Sequence, residues 1–275
     1  MKSCEHFSLN CKQRDEISHI SLILKSHTPE VEQNDLGHIP INSTEDPSTF
    51  LKKDEFLGVI GGGHREELKL VIPDNQHLFL RVIPQGPTQE IGSSQRVLDL
   101  LNKGKISPMI EVGAFDSGRN QHGAFAVAHE NENILALTQV FRNRELWGID
   151  TSSLDKNTQM VRSNVKFGYF PCILLENLFI QTLSNYLPFC RNILELPLPL
   201  KFIVGATRVE GYKMAAPSGM HVNGFESFGG RVVEDHIVYE GTITDFASDP
   251  KVLLRPFFEK IWEECGLKRP DRQKL

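Results

Sequence analysis

The stretch from Ile134 to Asp150, ILALTQVFRNRELWGID, constrains this chain more than any other. Ile134, Leu135, Leu137, Val140 and Phe141 precede a polar break at Arg142, Asn143 and Arg144, and Leu146, Trp147 and Ile149 follow it. Strand-forming residues on both sides of a short polar turn predict a β-hairpin. Its aromatic residues, Phe141 and Trp147, belong in the interior of a sheet, and the arginines between them belong at its rim.

Strands and helices are read on both sides of it. EFLGVI (55–60), ELKLVI (67–72) and HLFLRVI (77–83) read as strands. The third has apolar residues at both alternations, which predicts burial on both faces. Ser93 to Gly104 carries Val97, Leu98, Leu100 and Leu101 between a cap and a stop signal, so a helix is expected there. Residues 107–118 read as loop, and 122–130 as the strand that leads into the hairpin. Pro171 opens the strongest helical pattern, with Leu175, Leu178, Phe179, Leu183 and Tyr186 in one stripe and Pro188 as its expected end. LKFIVGATRV (200–209) and RVVEDHIVYEGTI (231–243) read as strands, with a Gly-rich loop over 217–230. Asp249-Pro250 starts a last helix, in which Pro256 should produce a kink or a split.

The expected fold class is therefore α/β in the broad sense (α+β): a mixed, largely antiparallel sheet with flanking helices. Residues 1–54 contain the polar run TPEVEQNDLGHIPINSTEDPSTF and read as a flexible N-terminal extension. Residues 55–268 form the α/β domain, and 269–275 a basic tail.

With 275 residues and a net charge of −5, the chain is not a general nucleic-acid binder by bulk charge, although a local basic patch is compatible with it. Five cysteines at wide spacing, without a Cys-x-x-Cys pair, argue against a disulfide framework or a zinc knuckle. No apolar run approaches the roughly 20 residues of a membrane span, and a cytoplasmic location without membrane association is expected. The oligomeric state is not legible.

Candidate chemistry divides into three readings. Asp54, followed by Glu67 and Lys69 two apart on a strand, is the layout of a metal-dependent nuclease: carboxylates for Mg²⁺ and a lysine for water or phosphate. The plain reading is a solvated strand face. GVIGGGH (58–64) follows a strand but precedes another strand, so a turn is favoured over a phosphate cradle. His64 and His129 both lack the second histidine of His-Glu-x-x-His. His221 and His236 flank Glu226, Glu234 and Asp235, either as a cluster or as unrelated surface histidines. Binding residues are sought in Arg119, Asn120 and His122 before one strand, and in Arg142 and Arg144 at the hairpin tip, where paired guanidinium groups would grip phosphate. A small-ligand pocket would take Arg119, Arg142, Trp147 and His221.

In order along the chain, Leu78-Phe79-Leu80-Arg81-Val82-Ile83-Pro84, Gly118-Arg119-Asn120-Gln121-His122-Gly123-Ala124, Leu137 to Asn143, Glu145 to Asp150, Gly211-Tyr212-Lys213-Met214 and Leu254-Arg255-Pro256-Phe257-Phe258 form a succession of short motifs. It resembles the region downstream of the DNA-binding domain in bacterial Schlafen AlbA-type proteins, often labelled divergent AAA or ATP-binding. The resemblance spans about residues 77–268. Two departures matter. Arg144 stands where the family commonly has Gly, and nothing before residue 77 resembles the family's N-terminal AlbA domain. The resemblance therefore implies the companion module alone: a non-catalytic binding or regulatory module that meets nucleic acid through a partner protein or domain. No cofactor is predicted from the residues themselves; ATP or Mg²⁺ enters only by family analogy and falls on no particular side chain.

Overall fold

The computed structural model describes residues 57–60, 67–109, 114–157, 159, 168–217 and 225–270, and the structural account concerns those residues. The sequence-predicted extension over 1–54, and with it Asp54, lies outside them.

The predicted hairpin is present. Strands β1 (Leu57–Ile60), β2 (Glu67–Lys69) and β3 (His77–Pro84) come first, then helix α1 (Ser94–Gly104) and strands β4 (Asp116–Asn120) and β5 (Gly123–Glu130). The hairpin is β6 (Asn133–Phe141) and β7 (Leu146–Asp150). After it come β8 (Tyr169–Pro171), helix α2 (Cys172–Asn192), β9 (Leu200–Thr207), β10 (Lys213–Pro217), β11 (Phe225–Phe228), β12 (His236–Ile243) and helix α3 (Pro250–Glu264). One sheet has the order β12-β9-β3-β7-β6-β5-β4-β1-β2, every neighbouring pair antiparallel. A small sheet, β11-β10-β8, combines one antiparallel and one parallel pair. The protein has a mixed α/β fold.

The helices described here share one face of the large sheet. Leu78, Leu80 and Val82 of β3, Phe202 and Val204 of β9, and Val140 and Leu146 of the hairpin meet Val97, Leu98 and Leu101 of α1, Phe179 and Leu183 of α2, and Phe257 and Ile261 of α3 in one apolar cluster. Helix α1 lies on β4, β5 and β6. There β5 alternates, presenting Ala124 and Ala126 to that cluster. Small side chains under a helix let its larger ones approach the sheet. The alternate positions point to the opposite face, which is buried too: Phe79, Arg81, Phe125, Gln139, Phe141 and Trp147 are each under 5% exposed. Burial of β3 on both faces was expected from its pattern.

Several elements depart from the sequence reading. Gly104 is not the left-handed stop of α1; Lys105 takes that conformation, at φ 52°. Gly104 is the last helical residue, and a β-carbon there would lie 2.2 Å from the ring of Phe189. Pro188 does not end α2, which continues to Asn192 with Phe189 and Cys190 buried. Burying these side chains offsets the hydrogen bond that a proline removes. Pro256 does not split α3 either: it and Val252, one turn earlier, lie on the solvent side, where water reaches the released carbonyl. Residues 225–228, inside the loop expected over 217–230, are strand β11, which pairs with β10, and β4 occupies part of the loop expected over 107–118. The strand predicted over 231–243 forms only from His236. No helix of the described residues is long and apolar enough to cross a membrane.

Candidate functional site

The hairpin tip is a three-residue loop. Phe141 N–H donates to the Glu145 carbonyl at 2.9 Å, and Arg144 N–H to the Phe141 carbonyl at 2.9 Å. Such loops place their last residue in the left-handed region, and Arg144 has φ 72°. A residue with a β-carbon is strained there. The side chain compensates: Nε donates to the Gln89 carbonyl at 2.8 Å and Nη1 to the Leu194 carbonyl at 2.6 Å. Arg142 works similarly, with Nε on the Ile91 carbonyl at 3.3 Å and Nη2 3.4 Å from Glu90. The tip is thus stapled to the segment before α1 and to the end of α2.

At the same end of the sheet, Asn120 closes the β4–β5 turn. Its Oδ1 accepts from the backbone N–H groups of His122 and Gly123 at 3.0 Å each, and its Nδ2 donates to buried Gln139 at 2.9 Å. The His122 carbonyl accepts from Arg142 N–H at 2.9 Å, which joins the two turns, and the His122 ring lies 6.4 Å from that of Phe141. Asn120, His122, Arg142 and Arg144 therefore assemble at one end. Arg119 is half-buried in β4, opposite Val59 and Ala124 in register. His221 lies outside the described residues.

Trp147 does not line a pocket with these residues. It is 1% exposed, and its indole N–H donates to Glu145 Oε1. Arg81, its register partner on β3, donates to the same oxygen from Nε at 2.9 Å and Nη2 at 2.7 Å, and its guanidinium lies 4.2 Å from the indole centroid. Burial pushes the Glu145 carboxyl above its ordinary range, against the pull of Arg81 and of the bonds from Trp147, Arg81 and Asn143. Sequence reading missed this pair. Its signal was a lone arginine in the otherwise apolar HLFLRVI strand, which has to find a buried partner.

Other buried polar groups are matched in the same way. Asp150 accepts from the N–H groups of Ser152 and Ser153 at 2.7 and 2.9 Å and from both hydroxyls, while burial holds its carboxyl above the ordinary value. Glu176 receives Arg269 at 3.0 and 2.8 Å. The Tyr186 hydroxyl and Thr138 Oγ1 are 2.8 Å apart, in space left by Gly148. Burial pushes the Cys190 thiol up to about 12 and that of Cys265 up to about 11, so both are protonated at neutral pH and unsuited to attack.

Compared with protein-family models, with curated proteins and with solved structures, this chain matches none of them. Its chemistry is therefore read from its own geometry. Glu67 and Lys69 occupy alternate positions of β2, the outermost strand, opposite Val59 and Leu57. Asp54, the third member of the nuclease reading, is outside the described residues, so their convergence is not at issue here. His236 pairs with Asp235 on the surface at 3.1 Å. Among the described residues, no group of three or more His, Cys, Asp or Glu side chains is placed to hold a metal ion.

A groove of about 400 Å³ does open beside the hairpin tip. Arg144 forms part of it, α1 contributes Arg96, Leu100 and Lys103, and the end of α2 contributes Asn192 to Glu195. Sequence reading had no access to Arg96 or Lys103 as site residues, because surface cations on a helix are ordinary and nothing local places them beside a turn some 40 residues away.

Proposed function

We propose that this chain is a binding or regulatory module and not a catalyst, of the kind that accompanies bacterial nucleic-acid-associated proteins of Schlafen AlbA type, meeting nucleic acid through a partner protein or domain. One observation carries the reading. Among the described residues, three buried carboxylates are committed to structural partners: Glu145 to Arg81, Asp150 to its two serines and Glu176 to Arg269. A general acid, base or nucleophile needs a titratable group poised toward substrate; these groups instead hold strands and turns together. Cations with spare donors stand at the surface, around the groove beside the hairpin tip.

An electrophoretic shift assay with short DNA and RNA, single- and double-stranded, at several salt concentrations tests the proposal. Direct contact predicts retardation at about 50 mM salt that weakens steeply by about 200 mM, because bound phosphates release counterions. No retardation of any of these nucleic acids at the lowest salt contradicts direct contact.

A further inference from the structure

The geometry points to the groove beside the hairpin tip as a site for the sugar–phosphate backbone of a nucleic-acid strand, read without regard to sequence. This inference rests on the nucleic-acid reading above and adds the place and the mode of contact. The first support is a charge imbalance. Arg96 and Lys103 are exposed, and among the described residues neither side chain has a hydrogen-bond or ion-pair partner. Arg144 gives Nε and one Nη1 hydrogen to carbonyls, and its Nη2 group has no partner among the described residues. Against these three cations the groove has two carboxylates: Glu90, already faced by Arg142, and Glu195, which meets no partner among the described residues.

The second support is spacing and lining. Arg96, Leu100 and Lys103 recur at intervals of four and three, which puts them along one side of α1. Seven residues of helix separate the two cations by about 10 Å along the axis. Charges strung out in this way match a ligand that carries successive phosphates better than one that carries a single phosphate. The lining has no aromatic side chain on which a base would stack. Contact is thus electrostatic, through phosphates, and insensitive to base identity.

The third support is rigidity. Arg144 ties its wall of the groove to the backbone at Gln89 and Leu194, so three segments distant in sequence are held in one arrangement before any ligand arrives. Pre-set donors lower the ordering entropy that binding would otherwise have to overcome.

Fluorescence anisotropy of a labelled single-stranded oligonucleotide, titrated with the full chain at several salt concentrations, tests this. The double variant Arg96→Glu/Lys103→Glu, whose side chains are exposed, should bind at least tenfold more weakly, and its log K against log salt slope should fall by about 1.4, the value for two lost phosphate contacts on a single strand. Glu195→Gln, which removes the unpartnered carboxylate, should tighten binding two- to fivefold, a gain that a merely structural role would not produce. Oligonucleotides of different base composition should bind within about threefold of one another. Wild-type binding that both variants leave unchanged would overturn the groove and leave the nucleic-acid reading standing. Absence of wild-type binding at low salt would overturn direct contact and the groove with it, and leave a role through a partner standing. Saturation by orthophosphate at micromolar concentration, displacing the strand, would overturn a strand site in favour of a single-phosphate one.

Discussion

Glu145 takes three N–H groups on one carboxylate oxygen, two from Arg81 and one from Trp147, in a site that water does not reach. Removing one partner of a buried ion pair leaves the other uncompensated, at about 3–5 kcal/mol. Glu145→Ala should therefore lower the urea unfolding free energy by about that much, and Arg81→Met/Glu145→Leu should recover most of the loss. The carboxyl also makes stability depend on pH. Its folded value is raised by burial, so between the ordinary value of about 4.3 and the raised one the native state keeps a proton that the unfolded chain has released. Above the raised value the carboxylate pairs with Arg81. Its contribution is complete below the ordinary value and is lost as pH rises through the raised value. Glu145→Gln removes this dependence. The stability of the wild type relative to Glu145→Gln should thus decline as pH rises from about 4 upward, measured by urea unfolding at successive pH values. At this scale the sequence was partly legible. Trp147 and Phe141 are interior as expected, because large aromatic residues beside a strand turn have nowhere better to go. Arg142 and Arg144 were readable as a cationic tip but not as staples, since the carbonyls they hold come from Gln89, Ile91 and Leu194, some fifty residues away.

Among the elements, those with a strong local pattern form where they were expected: the hairpin, β3, β9 and the body of α1. Those decided by distant packing do not. Pro188 carries an ordinary stop signal, yet α2 runs past it because Phe189 packs over Gly104 and Cys190 lies in the core. Gly104 carries an ordinary C-cap signal, yet it serves that contact. Gly104→Ala tests that contact. A glycine that merely sits on the helical backbone would gain up to about 1 kcal/mol of helix propensity. A glycine required by close approach loses more than that through overpacking, about 1–3 kcal/mol. A net loss of about 1–2 kcal/mol in chemical unfolding is expected, reduced in Gly104→Ala/Phe189→Leu. Short strands escaped notice for a similar reason: β8, β10 and β11 make a separate small sheet in which β8 and β10 pair residues far apart in sequence. A few residues of weak alternation do not announce such a partner.

On the scale of the molecule, the mixed fold with a largely antiparallel sheet was legible because apolar alternation and turn residues recur throughout the chain. The groove was not, since it is assembled from the segment before α1, the side of α1, the hairpin tip and the end of α2. The proposed role follows from a division of labour among charges: the interior carboxylates named above are held by partners within the fold, and exposed cations beside the tip keep free donors. The competing role, metal-dependent cleavage, would centre on Asp54, Glu67 and Lys69. The two separate in a single experiment, in which an end-labelled oligonucleotide is incubated with the chain and Mg²⁺ at low salt and analysed both on native gels, for retardation, and on denaturing gels, for strand length. A binding module retards the strand and returns it at full length. Strand cleavage by the wild type that Asp54→Ala/Glu67→Ala abolishes would contradict the account.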